Sequence, residues 1–256
     1  MKIVADENIP LLSRFFGGIG QVTQLAGRNI KAQDLANADI LIVRSVTQVN
    51  QALLENSPVK FVGSCTIGMD HIDTHYLDKQ NIRYANAPGC NANSVVEYIL
   101  SCLSILTETH RFNWGKVSVG IIGYGNVGSQ LAKRLGKLGI TYKAHDPLLG
   151  SSVQEQESLV SLEEALACDI ISLHVPLTKD GECPTKYMIN DRVLSQLRDE
   201  QVLINTSRGA VINNDHLLAH LKDHKRFTAI LDVWENEPEI NVELARRVLI
   251  GSPHIA

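Results

Sequence analysis

The chain has 256 residues, 44% of them hydrophobic and 20% charged, with a net charge of −4. That length suffices for two domains that each bury a core, and the charge balance, with no basic stripe, excludes a nucleic-acid partner. The amino terminus, MKIVADENIP, carries Asp6 and Glu7 where a signal peptide has its apolar stretch, and no apolar run approaches the roughly 18 residues of a membrane span, which predicts a cytoplasmic protein with no membrane partner.

The first half alternates short β-rich runs, KIVAD, DILIVRS, VKFVGS and IRYANA, with helical patterns. This is the rhythm of a parallel sheet. From Asn93 to about Asn113 apolar residues recur at helical spacing without a breaker, which predicts one long helix. The rhythm then restarts with VSVGIIG, TYKAHD, DIISLHV, QVLINTS, FTAILDV and RVLIGS. Six strands after a long helix predict a second doubly wound domain. The boundary falls at that helix, giving domains over 1–92 and 93–256. Cys65, Cys90, Cys102, Cys168 and Cys183 are an odd set with no CxxC, read as reduced thiols mostly in the core. His216, His220 and His224 fall at i, i+4 and i+8 of one predicted helix. Three ligands on one straight helix span about 12 Å, too far for one ion, so they read as a solvated face and no metal is expected.

The second rhythm opens on GYGNVG, residues 123–128, directly after an apolar strand and before an amphipathic helix. In this pattern Gly123 permits the tight turn, Gly125 lets a pyrophosphate approach the backbone, and Gly128 lets helix and strand pack closely, with Asn126 and Val127 opening the helix. The next strand ends in Asp146, 18 residues beyond Gly128, placed to accept hydrogen bonds from the adenosine ribose hydroxyls. No arginine follows it, so NAD is expected over NADP.

Ligands of open α/β sheets lie beyond the carboxyl ends of the strands. Four such ends carry polar residues: His174 to Thr178, which includes Pro176; Asn205 to Gly209; Asp232 to Glu237; and His254. An arginine, a glutamate and a histidine thus stand at successive strand ends.

NTSRG, DVWENEP and SPHIA, with GYGNVG and LHVPLT, resemble the NAD-dependent D-2-hydroxyacid dehydrogenase family. The amino-terminal motifs ADENIP, VRSVTQVN, FVGSCTIGMDHID and NAPGCNANSVVEY are similar to the branch that oxidises 4-phosphoerythronate on the route to pyridoxal phosphate. The resemblance implies a flavodoxin-like substrate domain over 1–92 and a Rossmann NAD-binding domain over 93–256. It implies His254 as the base for the hydroxyl proton, Glu237 as the carboxylate that orients it, and Arg208 as the fork that holds the substrate carboxylate. Ser45 and Thr66 match substrate-contacting positions, and Thr206, Ser207, Arg208 and Asp232 match positions that touch the cofactor, Asp232 on the nicotinamide side. Arg44 is a further anion partner whose direction the sequence leaves open. In the family the chain returns to the first domain after the histidine, and this branch adds a dimerisation domain; nothing follows Ala256 here, so a homodimer is expected of the full-length protein only. Two other readings stand beside this one. One is a sister dehydrogenase for glycerate or phosphoglycerate, and the other a non-catalytic NAD-sensing protein of the corepressor type.

Overall fold

A computed structural model of the protein describes residues 1–110, 113, 115–149 and 159–256. They form two compact units, Met1–Asn91 and Ala92–Ala256.

In the first unit five strands, β1 (Lys2–Asp6), β2 (Gln21–Leu25), β3 (Ile40–Val43), β4 (Phe61–Ser64) and β5 (Arg83–Ala85), form one sheet in the order β2-β1-β3-β4-β5, every pairing parallel. Alternation of side chains across the pleat explains the continuous apolar runs. Val4, Leu41 and Val43 enter the core on one face, while Ile3, Ala5 and Ile42 enter the core on the other. The strand order reverses between β1 and β3, the position where flavodoxin-like sheets bind ligands. β2 is absent from the strands expected of the sequence. QVTQL lies at the sheet edge with Gln21, Thr23 and Gln24 exposed, so it has no apolar face to announce it.

The second unit opens with α4 (Ala92–His110), after three short helices of the first unit, α1 (Leu12–Phe16), α2 (Gln51–Leu54) and α3 (Thr74–Lys79). Of the predicted helix end, residues 111 and 112 lie outside the described residues and Asn113 is not helical. Val95, Val96, Ile99, Cys102, Leu103 and Leu106 make one buried face of α4. Six parallel strands follow: β6 (Ser118–Ile122), β7 (Thr141–His145), β8 (Ile170–Leu173), β9 (Val202–Asn205), β10 (Thr228–Leu231) and β11 (Ile250–Gly251). Their order is β11-β10-β9-β8-β6-β7, so the chain reverses direction across the sheet between β6 and β8. Ile170, Val202, Ile204 and Ile230 face α4 and α5 (Asn126–Lys137). Ile171, Leu173, Leu203, Ala229 and Leu231 face the opposite core, which α6 (Leu162–Leu166), α7 (Asp191–Leu194), α8 (Asn214–Asp223) and α9 (Val242–Ala245) supply.

Two expectations are corrected. The three histidines do not share a solvated face. α8 ends at Asp223, and His224 leaves helical geometry at φ −106° and ψ 88°. Its ring stacks on His220 at 4.1 Å, and Phe227 meets His220 edge-on at 4.6 Å. The chain folding back after the helix therefore buries His220, leaving it 8% exposed. The cysteines are not mostly core, either. Cys102 and Cys168 are buried, Cys65 and Cys183 are half-buried and Cys90 is exposed, because Cys65, Cys90 and Cys183 stand in loops, where Cys65 only borders the core of the first sheet. Among the described residues no cluster of three or more His, Cys, Asp or Glu could hold a metal ion, and no helix is long and apolar enough to cross a membrane.

Candidate active site

The glycine turn lies at the reversal point of the second sheet. Gly123 has φ +95°, and a Cβ there would stand 2.5 Å from the His174 carbonyl oxygen, so only glycine fits between the ends of β6 and β8. A Cβ on Gly128 would stand 2.0 Å from the Gly123 carbonyl. A Cβ on Gly125 would meet nothing within 4 Å. Gly125 is also the N-cap of α5 and brings no side chain to satisfy the first N–H groups of the helix. Open space in front of unsatisfied N–H groups is what a pyrophosphate fills. Asn126, exposed, and Val127, half-buried, begin that helix.

Asp146 stands just after β7, and its carboxylate accepts the Tyr124 N–H at 2.9 Å and the Leu148 N–H at 3.1 Å, one on each oxygen. Each oxygen keeps a lone pair for a ribose hydroxyl. His174, after β8, has its Nδ1 3.5 Å from Thr206 Oγ1, while its Nε2 is buried without a partner among the described residues. Burial pushes the His174 imidazole down to about 3, so it is neutral. Beyond it, the Pro176 carbonyl accepts the Thr185 hydroxyl, and Thr178 and Thr185 bond each other, which ties that loop into a closed turn. An uncapped helix start, an open glycine, a held carboxylate and an orphaned buried nitrogen together fit a dinucleotide.

The Thr206–Arg208 turn is shaped by Asn205, the buried last residue of β9. Its Oδ1 accepts both the Ser207 N–H at 3.0 Å and the Ser207 hydroxyl at 2.7 Å, and its Nδ2 donates to the Arg208 carbonyl at 3.0 Å. Gly209 follows because a Cβ there would stand 2.0 Å from Trp234 backbone atoms. The loops after β9 and β10 therefore touch, and the Arg208 guanidinium, which donates to the Ser207 carbonyl at 2.8 Å, exerts its charge on Glu237.

Glu237 is fixed by the Trp234 N–H, which donates to Oε1 at 2.8 Å, and its Oε2 lies 3.0 Å from His254 Nδ1. Burial pushes the Glu237 carboxyl up, but its bonds with His254 and the Trp234 N–H outweigh that and leave it below the usual value. An ionised carboxylate only accepts, so Nδ1 carries a proton, and in the neutral tautomer this fixes, Nε2 is the nitrogen with the lone pair. His254 sits at φ +58°, a left-handed conformation uncommon outside glycine. Its N–H donates to the Asp232 carbonyl at 2.7 Å, and the buried Asp232 carboxylate accepts the N–H groups of Ile255 and Ala256. Arg208, Glu237 and His254 are thus brought to one end of one sheet. Sequence reasoning gave no role to Asn205 or Trp234; the available signals were a polar residue closing an apolar strand and a tryptophan two residues after a strand-end aspartate.

In the first unit, Arg44 is turned inward. Its Nε donates to Asp6 Oδ2 at 2.9 Å across the reversal between β1 and β3, where Asp6 is fully buried. Ser45 follows at the end of β3 and is half-buried. Thr66 lies beyond β4, its hydroxyl 2.8 Å from that of Ser64, which lies 3.2 Å from His71 Nε2.

Two family profiles match the chain: "D-isomer specific 2-hydroxyacid dehydrogenase, NAD binding domain" over residues 107–256, and the catalytic domain of the same family over residues 3–167. Among curated relatives, the erythronate-4-phosphate dehydrogenases of Hahella chejuensis and Cellvibrio japonicus are each 51% identical over all of this chain. The chain spans 67% and 66% of their lengths. Among solved structures, the NAD-bound 3-phosphoglycerate dehydrogenase of Entamoeba histolytica superposes with a TM-score of 0.82 at 24% identity, covering 99% of this chain and 86% of that one. The D-lactate dehydrogenase of Aquifex aeolicus complexed with NAD and lactic acid does so with 0.80 at 24% identity, covering 100% and 88%. These two share the fold. With both halves matched and the glycine cradle in place, the chain belongs to the D-isomer specific 2-hydroxyacid dehydrogenases, a family of NAD-dependent oxidoreductases that act on CH–OH groups.

Proposed function

We propose that the protein oxidises 4-phosphoerythronate to 3-hydroxy-2-oxo-4-phosphooxybutanoate on the route to pyridoxal phosphate. The names of its 51% identical relatives support this substrate. The observation that carries the reaction type is the 3.0 Å contact of Glu237 with His254 beside the Arg208 turn. Oxidation at C2 removes one proton and one hydride. NAD, when bound, supplies the hydride acceptor. His254 Nε2 takes the hydroxyl proton, and Glu237 stabilises the imidazolium that results. Arg208 holds the substrate carboxylate by its planar fork and polarises the C2 oxygen. Thr206, Ser207 and Asp232 are read as cofactor contacts together with the glycine turn, Asp146, His174 and Pro176. Residues 1–92 are read as the substrate domain, with Ser45 and Thr66 as substrate contacts, and residues 93–256 as the cofactor domain. The full-length protein is read as a homodimer in the cytoplasm.

The test is NADH formation by the full-length protein against 2-hydroxy acids with and without a terminal phosphate. The expected result is a kcat/KM for 4-phosphoerythronate well above that for erythronate, D-lactate or D-glycerate, because phosphate is held by charge-assisted hydrogen bonds. Equal efficiency with D-lactate overturns the substrate; higher efficiency with phosphoglycerate moves the protein to the sister branch.

A further inference from the structure

The Asp232 carboxylate is 1% exposed at the end of β10. A buried carboxylate needs donors, and it takes them from one short segment. The Ser252 hydroxyl donates to Oδ1 at 2.7 Å, the Ile255 N–H to the same oxygen at 2.9 Å, and the Ala256 N–H to Oδ2 at 3.0 Å. The loop that carries His254 is therefore wrapped around Asp232. Behind Ser252 stands Tyr98 of α4, its hydroxyl 2.6 Å from Ser252 Oγ and 154 positions away in sequence. A serine hydroxyl has one hydrogen and a carboxylate has none to give. That hydrogen goes to Asp232, so Tyr98 must donate to Ser252, and the chain of bonds runs in one direction from α4 to the carboxylate. Burial pushes the Tyr98 phenol up to about 12, so its proton is retained through the neutral range.

The same segment is tied at a second point. Trp234 Nε1 donates to the Ser252 carbonyl at 2.9 Å, while the Trp234 N–H donates to Glu237. Ser252 and Glu237 thus hang from one residue, with His254 two positions after Ser252 in a left-handed conformation that persists only where its surroundings over-determine it. The N–H groups of Ile255 and Ala256 grip the two Asp232 oxygens from the loop itself, and the Ser252 hydroxyl is the side-chain donor that joins them on Oδ1 and ties the carboxylate to α4 through Tyr98.

We propose that Ser252, oriented by Tyr98, is a positioning residue that through Asp232 sets His254 against Glu237. It rests on the reading of His254 as the base. The variants Ser252→Ala, Ser252→Thr, Tyr98→Phe and His254→Ala in the full-length protein test it, by kcat, KM for both substrates, NAD affinity, thermal melting and the imidazole NMR resonances of His254. Since a misplacement of about 1 Å is able to cost about 10²-fold, Ser252→Ala is expected to lower kcat by roughly 10- to 100-fold and Tyr98→Phe by a smaller factor. Melting stays near wild type, KM for NAD rises by a smaller factor than kcat falls, Ser252→Thr restores turnover, and the His254 resonances shift in Ser252→Ala.

Wild-type kcat and unmoved His254 resonances in both Ser252→Ala and Tyr98→Phe overturn the proposal, as does a loss of turnover matched by equal loss of NAD binding and melting temperature. Should His254→Ala stay active, the assignment of the base fails, and the His254 resonances in Ser252→Ala still decide the positioning role.

Discussion

Glu237 and His254 come 17 positions apart in sequence and 3.0 Å apart in space. On the proposed role of His254 as the base, its replacement by alanine is expected to lower turnover by about 10²- to 10⁴-fold, with NAD affinity unchanged in a fluorescence titration; near-normal turnover would point to another base. Glu237 also carries a stability term. Its folded pKa lies below the usual carboxylate value, so it contributes stability above an unfolded pKa of about 4.3 that is lost as pH falls through the folded value. Urea midpoints across the acid range should accordingly fall less steeply for Glu237→Gln than for the wild type. Asp146 is held by two N–H groups with its outer lone pairs open. Asp146→Ser is expected to weaken NAD binding and narrow the preference over NADP, and a wild type that binds both equally would remove that role.

At the scale of elements, α8 shows how a local pattern is overridden by the chain that follows it. The i, i+4, i+8 histidines assume a helix that continues, whereas His224 leaves it at the C-cap and Phe227 returns over His220. Burial, and then the neighbouring His224, hold the His220 imidazole below its ordinary value. The folded state therefore resists protonation that the unfolded chain accepts below about 6.5, and stability falls as pH drops from there through the folded pKa. His220→Phe, close in shape and without a titrating group, should lose less stability between about pH 7.5 and 5.5 than the wild type, as read by thermal melting; parallel losses would mean that other groups set the acid limb. β2 shows the converse case, a real strand whose edge position leaves no apolar face to read.

For the whole molecule, each of the two units has its own sheet with core on both faces, and the glycine cradle belongs to Ala92–Ala256 alone. A ligand stabilises the state that binds it, by about 2.7 kcal/mol at 100 times its Kd. NAD without substrate is expected to raise hydrogen-exchange protection in Ala92–Ala256 and leave Met1–Asn91 unchanged. Protection confined to Met1–Asn91 would place the cofactor elsewhere.

Sequence alone determined the parts whose signals are local or periodic. Ten of the strands follow from short β-rich runs bounded by turns; the central ones are apolar throughout because parallel strands covered on both faces must be, whereas β5 and β7 lie at sheet edges and carry exposed polar residues. The glycine turn was legible because its three glycines fall within six residues between an apolar strand and a helix, although the steric demand on Gly123 comes from His174, just after another strand. The gathering of Arg208, Glu237 and His254 beyond the ends of β9, β10 and β11 was legible because strand ends are where an open sheet presents polar side chains to a ligand. Tertiary structure decided the rest. Arg44 turns toward Asp6 because the reversal of strand order sets β1 beside β3, and Tyr98 reaches Ser252 because α4 packs on the same sheet as β11. Such contacts depend on which strands become neighbours, a property of the assembled sheet that no window of sequence contains.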